Sequence, residues 1–393
     1  MADGNDHLDY LWENSKVSGL SMKQDKFRQK VKEIFSFANV KIDGDRPWDI
    51  QVNNDKLYAR FLAEGSLGVG ESYMDGWWDC DRLDQLFDNI FRAELDAKIK
   101  PLSYLFEAVK AKIVNMQRPS RAFRIGRHHY DMGNDLYRCM LDKRMIYSCA
   151  YWKNASNLDE AQEAKLDLIC RKLGLRAGMR VLDIGCGWGG TAKYAAQRYK
   201  VEVVGITVSD NQYQLAKEFC RGLPVEIRMQ DYRSLDGVFD RVLSIGMIEH
   251  VGYKNYPAFM RVVKKRLKKD GLFLLHTIGG NSSVASTDPW IDRYIFPASM
   301  LPSAKQLCTA FEGLFVLEDW HSFGAYYDKT LMHWFKNFHD NWDVLKKSYD
   351  ERFYRMWKFY LLACAGSFRA RMNQVWQIVL SPEGVPDGYQ AQR

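Results

Sequence analysis

The sequence predicts an α/β protein with a mostly parallel seven-stranded sheet, preceded by a small, mainly helical N-terminal domain. Two observations lead to this fold class. Beyond residue 125, short apolar segments typical of strands alternate with helical segments, an order that favours a parallel sheet covered by helices on both faces. The apolar run that ends at Asp183 also leads into a turn with glycines at positions 185, 187, 189 and 190, where the backbone can turn sharply and approach a ligand closely.

The N-terminal domain is predicted over residues 1–115 and is joined to the rest of the chain by a linker at 116–125. The break Gln117-Arg118-Pro119-Ser120 marks that linker. The predicted elements of the domain are an amphipathic helix at 23–39, a strand-and-turn region at 40–52, a helix at 55–64, a glycine- and aromatic-rich stretch ending at Trp78, and a partly basic helix at 81–113.

The second domain is predicted over residues 126–393. Its strands are expected at 179–184, 201–206, 225–229, 240–246, 272–278, 315–321 and 374–380. Helices are expected between the first five strands, at 188–199, 210–221 and 253–269. Two further segments, 281–302 and 325–372, are rich in aromatic residues and do not belong to a minimal sheet. Insertions at the carboxyl edge of such a sheet commonly form substrate pockets.

Composition limits the class of protein. The chain has 393 residues, of which 47% are apolar and 14% aromatic, enough for a large core or for apolar clefts. The eight cysteines form no C-x-x-C pair, so neither a zinc site nor a redox motif is predicted. The first ten residues have no apolar signal region, and no apolar stretch approaches the roughly 20 residues that span a bilayer. We therefore expect a cytoplasmic protein with reduced thiols.

The net charge of +7 is unevenly placed. The segment Lys98–Arg127 carries eight Lys and Arg residues against one acid, and a second basic cluster runs from Arg261 to Lys269. Basic surfaces attract the phosphates of nucleic acids or of anionic lipid headgroups. For the second cluster, a solvated helix face is the preferred interpretation.

The glycine turn is spaced G-x-G-x-G-G, unlike the G-x-G-x-x-G of dinucleotide folds. It resembles motif I of class I S-adenosylmethionine-dependent methyltransferases, which implies a Rossmann-like sheet with S-adenosylmethionine as cofactor. Ligands of such sheets lie at the carboxyl ends of the strands. The cofactor-binding residues expected there are Asp183, Gly185, Cys186, Gly187, Gly189, Thr207, Gln212, Asp231 and Tyr232.

One feature of this cofactor site departs from the usual methyltransferase pattern, and the role of one residue stays open. The second strand is followed by no acid for the ribose hydroxyls, and Thr207 and Gln212 are the nearest polar substitutes. Asp231 is well placed to accept a hydrogen bond from the adenine amino group, but it can also cap a helix.

Several longer motifs narrow the resemblance. They read H-H-Y-D-M-G-N-D-L-Y at 128–137, Y-S-C-A-Y-W at 147–152, G-M-I-E-H-V-G at 246–252, L-L-H-T-I-G at 274–279 and G-A-Y-Y-D-K-T-L at 324–331. Together with G-E-S-Y-M-D-G-W-W in the N-terminal domain, they resemble the cyclopropane-fatty-acyl-phospholipid synthase family from about residue 40 to the end. The resemblance adds Tyr147 and Ser148 to the expected cofactor site.

The resemblance implies a reaction. A methyl group passes from the sulfonium cofactor to a cis double bond of a membrane phospholipid acyl chain, and this leaves a carbocation. A base then removes a proton from the new methyl group and the ring closes. Water has to be excluded from the cation, and aromatic faces can stabilise it, which are two roles for the aromatic insertions.

In this family the base is a bound bicarbonate ion. The positions that match its site are Cys149, Glu249, His276, Ile278 and Tyr327. We expect Glu249 and His276 to orient the ion and move its proton, with Tyr327 and the backbone N–H groups of Cys149 and Ile278 as further donors. Taken singly, each of these residues can equally be a packed core residue. Cys364 matches a cysteine linked to activity in the family, although its apolar helical surroundings favour a buried structural thiol.

Other functions remain as alternatives. They are a methyltransferase that makes methyl-branched or hydroxylated chains, and a lipid-binding protein without catalysis. Nucleic-acid methylation is disfavoured, because the fourth strand ends G-M-I-E-H rather than in a D/N-P-P-Y/F motif. The expected partners are the unsaturated phospholipid substrate and an anionic bilayer surface at the inner face of the membrane, contacted by Lys98–Arg127 and by the amphipathic helix. A homodimer is left open.

Overall fold

The structure is a computed structural model that describes residues 24–95 and 133–393. The predicted linker at 116–125, the whole of the basic segment Lys98–Arg127, and the part of the predicted helix 81–113 beyond residue 95 lie outside these ranges. Of the six family-like motifs, only that at 128–137 is partly outside them.

A seven-stranded sheet forms the centre of the second domain, as predicted. Its strands are β3 (Arg180–Ile184), β4 (Glu202–Thr207), β5 (Val225–Met229), β6 (Phe239–Ile245), β7 (Leu267–Gly280), β8 (Val316–Ser322) and β9 (Asn373–Ser381). The strand order is β5-β4-β3-β6-β7-β9-β8. Strands β3 to β7 pair in parallel, and β9 is antiparallel to both of its neighbours. The carboxyl ends of β3, β4, β5 and β6 therefore meet at one edge of the sheet.

Three helices that cover the sheet lie close to where the sequence predicted them: α7 (Gly190–Tyr199), α8 (Asp210–Phe219) and α9 (Tyr256–Arg266). Two more, α6 (Leu158–Lys172) and α11 (Ala304–Phe311), form in segments to which the sequence assigned no element. The predicted helix 253–269 is wrong at its end, because Leu267 pairs with Phe239 and begins β7.

The second basic cluster, Arg261 to Lys269, therefore spans the end of a helix and the start of a strand. In it, Lys268 pairs with Asp240 at 2.6 Å and Lys269 with Glu383 at 3.4 Å.

The described part of the N-terminal segment is mainly helical. Its elements are helical residues 24–36 (α1), β1 (Gln51–Val52), α2 (Lys56–Glu64), α3 (Ser66–Met74), β2 (Trp78–Asp79) and α4 (Leu83–Arg92). Strand β1 pairs with β2 in an antiparallel ladder. The glycine- and aromatic-rich stretch, to which the sequence assigned no element, forms α3.

The apolar face of α1 is used for folding. Val31 and Phe35 are buried in the core together with Ala38 just beyond the helix, whereas Phe37 is 62% exposed. The expected membrane contact of this amphipathic helix is therefore not available from its buried face.

The aromatic insertions pack against the N-terminal segment. They form α10 (Pro289–Tyr294), α12 (Ala325–Asp340), α13 (Trp342–Leu345) and α14 (Glu351–Arg369), while a short helix α5 (Asn134–Met140) precedes α6. The ring of Phe359 on α14 lies 5.6 Å from that of Tyr73 and 5.1 Å from that of Phe87. Arg369 at the end of α14 forms ion pairs with Asp84 of α4 (2.7 Å) and Asp328 of α12 (2.9 Å). One apolar core thus includes side chains of both segments, and the predicted domain boundary stays a prediction.

Two further findings concern the thiols and the membrane. All eight cysteines lie within the described residues and are free thiols. Among the helices of ranges 24–95 and 133–393, none combines the length and the apolar character that crossing a bilayer requires.

Candidate active site

A cavity opens at the edge where the carboxyl ends of β3, β4, β5 and β6 meet. Of the eleven residues predicted to bind the cofactor, ten line it: Tyr147, Ser148, Asp183, Gly185, Cys186, Gly187, Thr207, Gln212, Asp231 and Tyr232. The eleventh, Gly189, is the N-cap residue of α7 with a φ of 83°. The cavity also contains residues that the sequence did not single out, among them Trp188, Met247 and His250.

The turn after β3 uses glycine for two physical reasons. Gly187 has a φ of +55°, a left-handed conformation that side chains other than Asn rarely adopt, and a Cβ built there meets no atom within 4 Å. A Cβ at Gly190 would instead lie 2.2 Å from the carbonyl oxygen of Arg144. The first glycine keeps space open in the cavity, and the second lets the helix pack against the loop that carries Tyr147 and Ser148.

Asp183 presents an unsatisfied carboxylate to this cavity. The residue is 1% exposed, and its Oδ2 atom has no hydrogen-bond partner among the residues that the structure describes. Burial raises the pKa of this carboxyl to about 7, although the positive charge of Lys165 partly offsets the rise. A cationic donor such as the amino group of S-adenosylmethionine would supply the missing partner, so the cavity fits that cofactor.

The polar residues that follow β4 and β5 also form hydrogen bonds within the protein. Thr207 Oγ1 donates to Gln212 Oε1 at 2.9 Å. Asp231 accepts hydrogen bonds from the backbone N–H of Arg233 at 2.8 Å and from its guanidinium at 2.9 Å. Asp231 thus has the capping role that the sequence left open, while it also lines the cavity.

Helix α6 holds the loop that carries Tyr147, Ser148 and Cys149. Two fully buried residues of α6 do this: Gln162 Nε2 donates to the Ser148 carbonyl oxygen at 2.9 Å, and Lys165 Nζ donates to Ser148 Oγ at 2.8 Å. The sequence analysis missed both. Their spacing of three residues places them on one helix face, but a polar residue in that pattern ordinarily faces solvent.

Glu249 lies where β6 meets β7. Gly246, at the end of β6, donates its N–H to the His276 carbonyl oxygen at 2.9 Å, and Glu249 follows three residues later in a 3-10 turn. Its Oε1 accepts the N–H of Ile278 at 2.8 Å, whereas its Oε2 has no partner in the described part of the chain. Burial raises the pKa of Glu249 to about 7. The Ile278 amide, which we expected to donate to an anion, thus donates to Glu249.

His276 is buried in β7 and electrically neutral. Its exposed fraction is 2%, and burial holds its pKa well below the usual value, helped by the charges of Lys165 and Lys172. The side-chain amide of Gln377 lies 3.3 Å from His276 Nδ1, and this hydrogen bond fixes the orientation of the imidazole ring. Gln377, on β9, is a further residue that the sequence analysis did not identify.

Tyr327 and Cys149 lie on two segments that are joined by hydrogen bonds. Thr330, one turn after Tyr327 on α12, accepts hydrogen bonds from the Ala150 N–H at 3.2 Å and from Trp152 Nε1 at 3.0 Å. Cys149 is fully buried, and its thiol donates to the Ala150 carbonyl oxygen at 3.3 Å. Burial raises the pKa of this thiol, so it is protonated at neutral pH.

Cys364 lies on α14 beside the same cluster. Burial raises the pKa of its thiol to about 12, which makes it a poor nucleophile. Tyr360, one turn earlier, interacts electrostatically with Tyr147, Tyr327 and Cys364, and its hydroxyl lies 2.8 Å from that of Tyr147. The predicted residues Tyr147, Tyr327 and Cys364 are therefore brought around one tyrosine.

Aromatic rings from both insertions border the cavity. Tyr147 lies 5.1 Å from the ring of Trp334 and 6.4 Å from that of Phe296. Phe296 also lies 5.8 Å from His250, which lines the cavity, and 5.8 Å from Tyr360. The sequence analysis allowed the aromatic residues to form either a large core or an apolar cleft. Both occur, because most of these rings pack in the core and some lie next to the site.

Comparisons with known proteins identify the family of this chain. Residues 117–378 match the family model described as mycolic acid cyclopropane synthetase. The chain is 50% identical over 381 residues to a cyclopropane-fatty-acyl-phospholipid synthase of Escherichia coli K12, covering 97% of this chain and 100% of that protein. It is 32% identical over 360 residues to a tuberculostearic acid methyltransferase of Mycobacterium tuberculosis, covering 84% of this chain and 82% of the other.

Solved structures show the same likeness. The cyclopropane synthase MmaA2 from Mycobacterium tuberculosis is 32% identical with a TM-score of 0.61, and the match covers 66% of this chain and 97% of that one. The mycolic acid cyclopropane synthase CmaA1, solved with SAH and CTAB bound, is 33% identical with a TM-score of 0.62 and the same coverage. Both matches leave out about a third of this chain.

Proposed function

The chain belongs to the mycolic acid cyclopropane synthetase family and is an S-adenosylmethionine-dependent methyltransferase, and we propose that it converts the cis double bond of unsaturated phospholipid acyl chains into a cyclopropane ring. The near full-length likeness to the Escherichia coli cyclopropane-fatty-acyl-phospholipid synthase supports this substrate class. The observation that carries the proposal is the buried Glu249 carboxyl, hydrogen-bonded to Ile278 at the sheet edge that also forms the cofactor cavity.

We assign the cofactor to the β3–β6 edge. Bound S-adenosylmethionine supplies an electrophilic methyl group on a sulfonium. Asp183 accepts from a cationic donor with its free Oδ2, and the open turn at Gly187 admits the ligand close to the backbone. Tyr147, from the loop held by Gln162 and Lys165, turns an aromatic face to the same cavity.

We assign proton handling to the Glu249 cluster. Bound bicarbonate supplies a base for the proton that ring closure releases. The donor set fits such an anion: a neutral His276 keeps one ring N–H, and the Glu249 carboxyl, whose pKa burial raises to about 7, can carry a proton near neutral pH. Glu249 therefore can hold or release a proton without leaving its hydrogen bond to Ile278.

We assign water exclusion and cation stabilisation to the aromatic insertions. Tyr147, Phe296 and Tyr360 form a contiguous set of rings next to the cavity. Their faces carry partial negative charge and stabilise a nearby cation, and their bulk keeps out the water that would trap a carbocation on the acyl chain.

Product analysis tests the proposal. Incubating the protein with S-adenosylmethionine and a monounsaturated phospholipid should add one CH2 to each acyl chain and remove its vinyl proton signals in NMR. The same lipid with saturated chains is the control and should not change. A product that gains CH2 but keeps vinyl or methylene protons would identify a methyl- or methylene-branching enzyme instead, and a hydroxyl oxygen in the product would identify a hydroxylated chain. No gain at all would favour a lipid-binding protein.

We also propose that the enzyme works at a membrane surface, at the inner face of a cytoplasmic membrane. The substrate acyl chain is buried in a bilayer, while the sequence places eight basic residues in Lys98–Arg127. Anionic headgroups attract such a segment by roughly 1 kcal/mol per basic residue close to the surface. The exposed Phe37 at the end of α1 can add one apolar contact. Whether the chain acts as a homodimer stays a prediction.

Charge reversal checks the membrane proposal. Replacing Arg118, Arg121 and Arg124 with glutamate should weaken binding to vesicles that contain anionic phospholipid and slow turnover on them, while leaving affinity for S-adenosylhomocysteine unchanged. The wild-type protein should bind vesicles that contain anionic phospholipid more tightly than zwitterionic vesicles. This difference should shrink as the salt concentration rises, because salt screens charges. Co-sedimentation alongside a melting curve measures both effects. If the variant melts earlier and vesicle binding never depended on lipid charge, the arginines have a structural role.

A further inference from the structure

Lys165 carries a buried charge without an ion-pair partner at contact distance in the described part of the chain. Its side chain on α6 is fully buried, and its one described hydrogen bond goes to the neutral hydroxyl of Ser148 at 2.8 Å. Within the residues that the structure describes, no carboxylate lies at ion-pair distance from its ammonium. A buried ammonium is costly unless an anion offsets it.

A second lysine of the same helix shows the contrast. Lys172 lies two turns later on α6 and is equally buried, but its ammonium pairs with Asp319 at 3.0 Å, which also accepts a bidentate contact from Arg393. The charge of Lys172 is therefore balanced by the protein itself.

The groups around Lys165 point to where its anion belongs. Its charge interacts with Asp142, Cys149 and Asp183, and it helps to keep His276 neutral. Asp142 is already occupied, because its two oxygens accept the backbone N–H groups of Ile146 at 2.8 Å and Arg144 at 2.9 Å.

Cys149 and His276, which also interact electrostatically with the ammonium, belong to the proposed bicarbonate site. That site otherwise contains a neutral imidazole, a protonated thiol and the Glu249 carboxyl. None of these three groups brings a positive charge, although an anion in a buried site needs one.

We infer that Lys165 provides the positive charge that balances the bound bicarbonate ion. It is a positioning residue: its ammonium, bonded to Ser148 in the Ser148–Cys149 loop, acts on the ion through its electrostatic field. This inference rests on the proposed function. It also assigns Ser148 a second role, because the hydroxyl that borders the cofactor cavity fixes the position of the ammonium between the two sites.

Anion binding without turnover tests the inference. Bicarbonate is titrated calorimetrically into wild type, Lys165→Met and Gln162→Met in carbonate-free buffer near pH 7, with S-adenosylhomocysteine bound. Methionine keeps the length of the lysine stem but removes the charge. Gln162→Met is the matched control, since it removes an uncharged hydrogen bond from α6 to the same loop. We expect Lys165→Met to weaken bicarbonate binding by roughly tenfold to a hundredfold. Gln162→Met, which loosens the same loop without removing a charge, should weaken it much less.

The outcomes separate the possibilities. Equal bicarbonate affinity in Lys165→Met and wild type overturns the inference and leaves the proposed function standing. A loss of affinity for S-adenosylhomocysteine alone would assign the charge to the cofactor and also overturn it. If wild type binds no bicarbonate and turns over lipid without it, the proposed proton chemistry itself fails.

A pH profile provides a second measurement if Lys165→Met does not fold. Burial lowers the pKa of Lys165 to about 8, so wild-type affinity for bicarbonate should fall as the pH rises through that value. The other titratable groups that face the ammonium are Asp142, Cys149, Asp183 and His276, and the thiol and the imidazole do not change charge between pH 7 and 9. Asp183 and Glu249, whose pKa values burial raises to about 7, gain negative charge near the lower end of this range, so the fall around pH 8 is the part of the profile that reports on Lys165. A wild-type profile that is flat between these pH values contradicts the inference.

Discussion

Replacing Glu249 with glutamine is expected to slow ring formation by roughly a hundredfold or more, the usual size of a general acid–base contribution. Glutamine has the same shape, and its Oε1 can still accept the Ile278 N–H, so the protein should fold and bind S-adenosylhomocysteine as wild type does. It cannot hold or release the proton that a carboxyl with a pKa of about 7 exchanges. Turnover with and without added bicarbonate in carbonate-free buffer measures the effect.

Wild type should be slow in carbonate-free buffer and recover on addition of bicarbonate. A Glu249→Gln variant with the wild-type rate and the same bicarbonate response would remove Glu249 from the mechanism. Thermal melts provide the control for folding. Because burial raises the Glu249 pKa, ionising it costs the wild-type fold on the order of 3 kcal/mol as the pH rises toward 7 and above. The variant lacks this cost, so its stability relative to wild type should increase from about pH 5 to about pH 8.

Replacing Gly187 with asparagine is expected to lower affinity for S-adenosylhomocysteine by roughly a hundredfold, about 3 kcal/mol. Asparagine tolerates the left-handed φ of +55° better than other side chains, and a Cβ at this position meets no protein atom within 4 Å. The side chain would therefore occupy the cavity space at little cost to the fold. Isothermal titration calorimetry measures the change.

Gly174 offers a matched control. It has a φ of +57°, a Cβ there likewise meets no atom within 4 Å, and the residue is exposed after α6 and does not line the cavity. Gly174→Asn should keep wild-type affinity. If a folded Gly187→Asn variant binds as tightly as Gly174→Asn, the glycine turn does not contact the cofactor.

The ends of elements show where sequence patterns stop being informative. All seven strands of the sheet were predicted, because period-two apolar patterns and turn residues report local structure directly. The end of α9 was not, because Leu267 leaves the helix to pair with Phe239, which lies in another strand. A helical pattern of charged residues continues past that point, and only the strand partner overrides it.

The sequence by itself determined the fold class, the glycine turn of the cofactor site and the identity of Glu249 and His276 as candidates, since these are written in short stretches of chain. The tertiary structure decided how their hydrogen bonds and charges are balanced. The Ile278 amide donates to Glu249, Gln377 bonds to the ring of His276, and Lys165 forms no ion pair with a carboxylate among the described residues. Such pairings join residues from 29 to 101 positions apart. They depend on which strands and helices become neighbours, and local periodicity carries no information about that.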